Sequence, residues 1–150
     1  MRIRAVANYQ FGADVGKELF PEDVSIRCSK KTGRIRHIFL HGMLLATLRP
    51  KDGLLSLSIE GARRLQRVLS FPRLRVVVCE EVAEFILKGG DVFARHLVDA
   101  DKTLRAGEEV LVVSPKDELL GVGKALLAGN EMLMFKRGVA VKMRWGVRQQ

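Results

Sequence analysis

The spacing of turn-forming residues constrains this chain more than any other feature. Turn signals recur at Ser29-Lys30-Lys31-Thr32-Gly33, His41-Gly42, Pro50-Lys51-Asp52-Gly53, Ala106-Gly107, Pro115-Lys116-Asp117-Glu118, Gly129-Asn130 and Arg137-Gly138. Glycine supplies positive φ, proline presets the first turn dihedral, and Asp or Asn bonds its own backbone. The apolar stretches between these turns have the length of short strands. In the first half, a helix is expected over 4–17, interrupted at Gly12 and Gly16 and stopped before Pro21. Strands are expected over 24–28, 34–40, 43–49 and 54–59, then a helix over 60–69 with the stripe Ala62, Leu65, Val68 and Leu69. After Ser70-Phe71-Pro72-Arg73 the pattern restarts. A strand over 74–79 leads to a short helix over 80–87, and Lys88-Gly89-Gly90 closes that helix. Strands over 92–94, 96–98, 109–114, 119–127, 131–135 and 139–145 complete the second half. Many short strands with one helix argue for a small barrel or twisted sandwich. The reading is α+β: a small α/β-sheet module over 1–72, then a mixed β-barrel over 73–150.

Charge narrows the partner. The 150 residues include 26 Lys+Arg and 17 Asp+Glu, a net +9. Residues 1–72 hold 13 basic and 6 acidic residues, a net +7, whereas 73–150 hold 13 and 11, a net +2. Phosphate backbones are attracted by such a surface through Coulomb forces and counterion release, and anionic lipid is attracted as well. The longest apolar runs fall short of the roughly 20 residues that span a bilayer. Met1–Asn8 carries Arg2 and Arg4 and does not read as a signal peptide. A cytoplasmic protein without a membrane partner is expected. Cys28 and Cys79 lie far apart in apolar strand contexts and are expected to be buried thiols. His37, His41 and His96 have no Cys, Asp or Glu at ligand spacing, so neither a metal nor a cofactor is expected. Glu80, Glu81 and Glu84 fit the positive end of a helix dipole without any catalytic role.

Two sets of motifs resemble a known family. The run Lys88-Gly89-Gly90-Asp91-Val92-Phe93-Ala94-Arg95-His96-Leu97, the loop Ala106-Gly107-Glu108-Glu109-Val110, the stretch Gly121-Val122-Gly123-Lys124-Ala125 and the closing Lys136-Arg137-Gly138-Val139-Ala140-Val141-Lys142 resemble a PUA domain. Tyr9-Gln10-Phe11-Gly12, Leu19-Phe20-Pro21, Lys30-Lys31-Thr32-Gly33-Arg34-Ile35-Arg36 and Asp52-Gly53-Leu54 through Ile59-Glu60-Gly61-Ala62 resemble the module preceding PUA in archaeal tRNA-guanine (archaeosine) transglycosylases. Together they resemble the C-terminal RNA-binding region of that enzyme. The family's catalytic barrel, with its carboxylate nucleophile and zinc site, would exceed this length and finds no match here. The resemblance therefore implies a non-catalytic RNA-binding protein that docks on structured RNA, tRNA first, in RNA modification. The alternative is a protein-interaction subunit supporting a tRNA-modifying enzyme or a ribosome-related complex. A separate catalytic subunit is a possible partner in either case.

The candidate RNA-binding residues follow from charge and from that resemblance. In PUA domains the helix-to-strand region and the last strand contact RNA, which implies Lys88, Gly89, Gly90, Asp91, Val92, Arg95 and His96. The glycines let backbone approach a sugar-phosphate chain, and their amides are candidate phosphate donors. Strand alternation would place Arg95 and His96 on opposite faces, with one of them toward RNA. Lys136, Arg137, Lys142 and Arg144 lie at the closing strand, and the last two share a face. Lys30, Lys31, Arg34 and Arg36 form the densest basic cluster, in the more positive half. Arg63, Arg64 and Arg67 form a less specific helical face.

Overall fold

A computed structural model describes residues 2–149. Met1 and Gln150, the outer ends of the two expected modules, lie outside the described residues. The chain divides into two compact units, Met1–Val68 and Leu69–Gln150. The architecture is α+β.

The first unit begins with α1 (Arg2–Phe11) and α2 (Val15–Leu19) in place of one helix over 4–17. Gly12 at φ 134° and Asp14 at φ 65° turn the chain between them. Gly16 is a crossing point: a Cβ there would collide with the Arg4 carbonyl, and its amide donates to Asn8 Oδ1 at 2.6 Å. Ile3, Ala7 and Phe11, spaced four apart on α1, are all buried. The strands β1 (Ser25–Cys28), β2 (Ile35–Leu40), β3 (Met43–Leu48) and β4 (Leu55–Leu57) form an antiparallel sheet in sequence order. His41 and Gly42 both take positive φ in the β2–β3 turn, matching the twist of the flanking strands. The helix α3 (Ile59–Val68) follows β4 directly. Ser58 caps it, accepting from the Gly61 amide at 3.1 Å and donating to the Leu44 carbonyl at 2.5 Å. Ile38, Leu45, Leu55, Leu57, Ala62 and Leu65 fill the core. β1 is an edge strand exposed at every position. Cys28 is therefore exposed, contrary to the expectation of a buried thiol. An apolar neighbourhood in sequence does not distinguish a covered strand from an edge.

The second unit contains β5 (Arg75–Val78), α4 (Ala83–Leu87), β6 (Val92–Phe93), β7 (Leu97–Ala100), β8 (Glu109–Val113), β9 (Leu119–Ala125), α5 (Gly129–Met132) and β10 (Val139–Gly146). Its six-stranded sheet has the order β6-β10-β9-β8-β5-β7, with β5 and β8 parallel and the other neighbours antiparallel. The edge strands β6 and β7 are consecutive, joined by the single 3-10 turn Ala94–His96. That link bridges the open seam, so the sheet curls into a nearly closed mixed barrel. Interior strands are buried on both faces: every residue of β5 and β8 is covered. The strand expected over 131–135 is instead α5 followed by exposed Leu133, Met134 and Phe135. The Glu131 carboxylate accepts from the Ala128 amide at 3.2 Å, and Gly129 packs against the Asp101 backbone, so the chain turns inward as a helix. A short apolar run does not separate strand from helix by periodicity.

Candidate nucleic-acid interface

Two sequence segments singled out for charge meet in the second unit. β6 pairs antiparallel with β10, with Val92 opposite Val141 and Phe93 opposite Val139. The Ala94 amide extends the pairing to the Gly138 carbonyl at 2.9 Å. Asp91 fixes the other end, its Oδ1 accepting from the Met143 amide at 2.8 Å and its Oδ2 facing Lys142 Nζ at 3.3 Å. Residues 91–94 and 138–143 thus run side by side along one sheet edge. Lys88, Arg95, Lys136 and Arg137 flank these paired residues and are all exposed, and none has a carboxylate at ion-pair distance among the described residues. The Ala94–Gly138 hydrogen bond brings the backbones beside Arg95 and Arg137 together.

The glycines do different work from that expected. The Gly89 amide donates to the Ile86 carbonyl and the Gly90 amide to the Phe85 carbonyl, both at 2.9 Å. With Gly89 at φ 98°, this is a Schellman closure of α4. Both amides are engaged inside the fold, which removes them as phosphate donors. Side chains are also excluded for an internal reason. A Cβ on Gly89 would overlap the Gln149 amide, and one on Gly90 would overlap the Phe85 ring. Gly146 is equally constrained, against the Ile86 and Leu87 carbonyls. Val92 is buried and contributes backbone pairing rather than surface.

Arg95 and His96 do not alternate. They sit in the 3-10 turn between β6 and β7, where the period-2 rule fails. Their side chains lie together, Arg95 Nε donating to His96 Nε2 at 3.3 Å. The Arg95 guanidinium also covers the Phe93 ring at 5.4 Å from its centroid, and His96 meets the same ring edge-on. The arginine is thereby held in place while remaining exposed.

Lys142 and Arg144 separate in role. Lys142 is exposed beside Asp91, and Lys124 faces it across the β9–β10 pairing. Arg144 forms a two-pronged ion pair with Glu109, whose side chain is 0% exposed. Its charge compensates a buried carboxylate, so Arg144 is a structural cation rather than a surface one. Sequence reading missed Phe85, 52% exposed against Gly90, and the run Leu133-Met134-Phe135 immediately before Lys136-Arg137. Apolar residues next to paired cations were the available signal. Cys79 is half-buried, and burial together with its hydrogen bond to Glu81 pushes its thiol up. Among the described residues no group of three or more His, Cys, Asp or Glu side chains is gathered to hold a metal ion.

In the first unit, Lys30 and Lys31 lie on the β1–β2 turn, with Arg34 just before β2 and Arg36 within it. The Ser29 hydroxyl accepts from the Lys31 and Thr32 amides at 3.2 and 3.4 Å, and Thr32 Oγ1 accepts from the Arg34 amide at 3.3 Å. The turn is further closed by Ser29 N to Arg34 O at 2.7 Å and Gly33 N to Ser29 O at 2.9 Å. None of the four cations has a carboxylate at ion-pair distance among the described residues. By contrast Arg64 of α3 turns inward, donating to the Glu18 and Leu19 carbonyls at 2.6 and 3.2 Å.

Residues 1–72 match the family model for the patch-forming domain C2 of tRNA-guanine transglycosylase, and residues 74–147 match the PUA domain. This is a PUA-domain protein. The PUA chain is 49% identical over 145 residues to a tRNA-guanine(15) transglycosylase of Methanothermobacter thermautotrophicus and 50% identical over 145 residues to one of Thermococcus kodakarensis. Each alignment covers 97% of this chain but only 22% and 25% of the relative, so the PUA chain spans a quarter or less of these relatives' length. Among solved structures, a hypothetical protein from Pyrococcus horikoshii is similar at TM-score 0.77 and 27% identity, covering 98% of this chain and 89% of the other. A conserved PUA domain protein from Thermoplasma acidophilum is similar at TM-score 0.66 and 22% identity, covering 97% and 85%, a likeness of fold. No helix among the described residues is long and apolar enough to cross a membrane.

Proposed function

We propose that this PUA-domain chain binds structured RNA, tRNA first, and serves as a docking component in tRNA modification rather than as the source of the chemistry. The observation that carries this reading is the β6–β10 ribbon. Its two ends carry exposed cations without carboxylate partners among the described residues: Lys88 beside the α4 cap that holds the exposed Phe85 ring, and Arg95, Lys136 and Arg137 at the Ala94–Gly138 end. Cations track a phosphate backbone, and an aromatic face accepts an unpaired base. The match to tRNA-guanine(15) transglycosylases supports tRNA as the RNA class. Modules 1–72 and 73–150 both contribute: the first supplies general phosphate attraction through Lys30, Lys31, Arg34 and Arg36, the second discrimination.

The test is a titration of a tRNA transcript with the full chain, wild type against Lys88→Ala/Arg95→Ala/Lys136→Ala/Arg137→Ala, at several salt concentrations. If each cation meets one phosphate, the slope of log K against log salt falls by about three to four units. Absence of tRNA binding, or a quadruple variant that binds as well as wild type, rejects the reading. A specific observation favours a second reading: Leu126, Leu133, Met134 and Phe135 are exposed apolar side chains in the same unit. Such a surface suits a protein partner. Size exclusion with a candidate catalytic chain, with and without RNA, separates the two, because a protein-docking subunit associates without RNA.

A further inference from the structure

The turn carrying Lys31 and Arg34 also walls one side of a cleft in the first unit. The opposite wall comes from the end of β3 and the β3–β4 turn, and Arg2 of α1 contributes beside them. The cleft has a volume of about 270 Å³. That is well beyond what a single water needs and just below the ~300 Å³ at which drug-sized sites begin.

Its lining is of two kinds. Arg2, Lys31, Arg34 and Arg36 bring four positive charges, none with a carboxylate at ion-pair distance among the described residues. Arg49, also on the lining, bonds Asp52 at 3.1 Å through Nε and 3.0 Å through Nη2. Ile35, Leu48 and Pro50 supply an apolar wall. A small inorganic anion would answer the charges and leave that wall against water. An apolar ligand would cover the wall and leave four cations facing one another. A nucleotide answers both, with a phosphate for the guanidinium forks and a flat base for the apolar side chains. The hydrogen-bonded Ser29–Arg34 turn holds the rim in place before any ligand arrives.

We propose that this cleft binds one phosphorylated nucleotide, its phosphate held by Arg34 and Arg36 with Arg2 and Lys31, and its base laid against Ile35, Leu48 and Pro50. The nucleotide comes either free in solution or as an unpaired residue of an RNA strand. The second source rests on the RNA-binding reading above; the chemistry of the cleft does not.

The experiment uses the full-length ¹⁵N-labelled chain, titrated separately with adenosine 5′-monophosphate, inorganic phosphate, adenosine and a 5′-phosphorylated single-stranded trinucleotide, with amide shifts as the readout. The monophosphate shifts amides of residues 29–36 and 48–53 and binds at least about tenfold more tightly than phosphate or adenosine alone, since only it engages both walls. Arg34→Ala/Arg36→Ala abolishes these shifts, while Lys17→Ala, outside the cleft, retains them. Should the double variant unfold, the wild-type shift map and the ligand ranking decide alone. Phosphate binding as tightly as the monophosphate, or shifts confined to other residues, overturns the proposal. A trinucleotide that binds more tightly than the monophosphate supports the strand source, and the reverse order supports a free nucleotide. If the monophosphate binds here while the chain fails to bind tRNA, the cleft stands and the RNA-docking reading falls. If tRNA binds but neither the monophosphate nor the trinucleotide shifts these amides, the cleft proposal falls alone.

Discussion

The division of labour among the cations is set residue by residue, by which of them a carboxylate already holds. Glu109 is completely buried, and Arg144 on β10 compensates it. Breaking a buried pair from one side leaves an uncompensated charge, whereas removing both charges is much milder. Arg144→Ala should therefore cost about 3 kcal/mol of folding stability, with most of it restored by Arg144→Met/Glu109→Leu. Urea unfolding of wild type and the two variants checks this. A single variant as stable as wild type would return Arg144 to the surface cations. Asp101 gives a pH prediction. Burial pushes its carboxyl up, but hydrogen bonds from the Thr103 hydroxyl and amide, the Leu74 amide and Arg73 outweigh burial and hold it below the ordinary carboxylate value. A carboxyl depressed in the folded state stabilises fully above its unfolded value, near ~3.9, and loses that contribution as pH falls through the lower folded value. The stability gap between wild type and Asp101→Asn should thus be widest at neutral pH and narrow below about pH 4. Paired unfolding curves across pH 3–7 test it, and a gap that widens on acidification contradicts the assignment.

At the scale of elements, Gly89 and Gly90 act through α4. A residue with a Cβ at φ 98° is strained, and the added methyl meets the Gln149 amide, so Gly89→Ala should cost at least ~1–2 kcal/mol. Because both glycine amides already bond α4 carbonyls, tRNA affinity should fall only in proportion to the folded fraction lost. Thermal unfolding and tRNA titration of the same sample decide it. A stable Gly89→Ala chain with much weaker tRNA binding would place an RNA contact at the glycine after all. The Schellman closure itself was legible in the sequence, since Gly-Gly after an apolar helical stretch signals a left-handed cap. What the sequence did not show is that Gln149 packs against Gly89, because that contact joins residues 60 positions apart. The sequence patterns located the strands well because turn residues punctuate them: His41-Gly42 and Arg137-Gly138 do sit at turns that precede β3 and β10. The misread elements share one cause. α5, the 3-10 turn at Ala94–His96 and the α1–α2 break are each four residues or shorter, or fall at a chain reversal, where periodicity has too few residues to register. Arg144 escaped for another reason: its fate depends on Glu109, 35 residues away in sequence.

Over the whole molecule, the +9 net charge is distributed unequally in quality as well as in amount. In the second unit Asp91, Glu109, Glu84, Asp101 and Asp117 pair with Lys142, Arg144, Arg148, Arg73 and Arg75. The surplus of the first unit includes the cluster Lys30, Lys31, Arg34 and Arg36, which has no such partners among the described residues. Long-range attraction scales with net charge and carries no information about RNA shape, while discrimination needs groups fixed on a scaffold. Where the first-unit cleft takes a free nucleotide rather than a strand residue, Lys30→Ala/Lys31→Ala/Arg34→Ala/Arg36→Ala should therefore weaken folded tRNA and unstructured RNA by similar factors, flattening the salt dependence of both by about three units. The second-unit quadruple variant at Lys88, Arg95, Lys136 and Arg137 should instead reduce affinity for folded tRNA more than for unstructured RNA. Competition binding with both RNAs, at matched salt, reads the ratio directly. If the two quadruple variants change that ratio equally, charge alone accounts for binding and the β6–β10 ribbon has no claim to recognise shape.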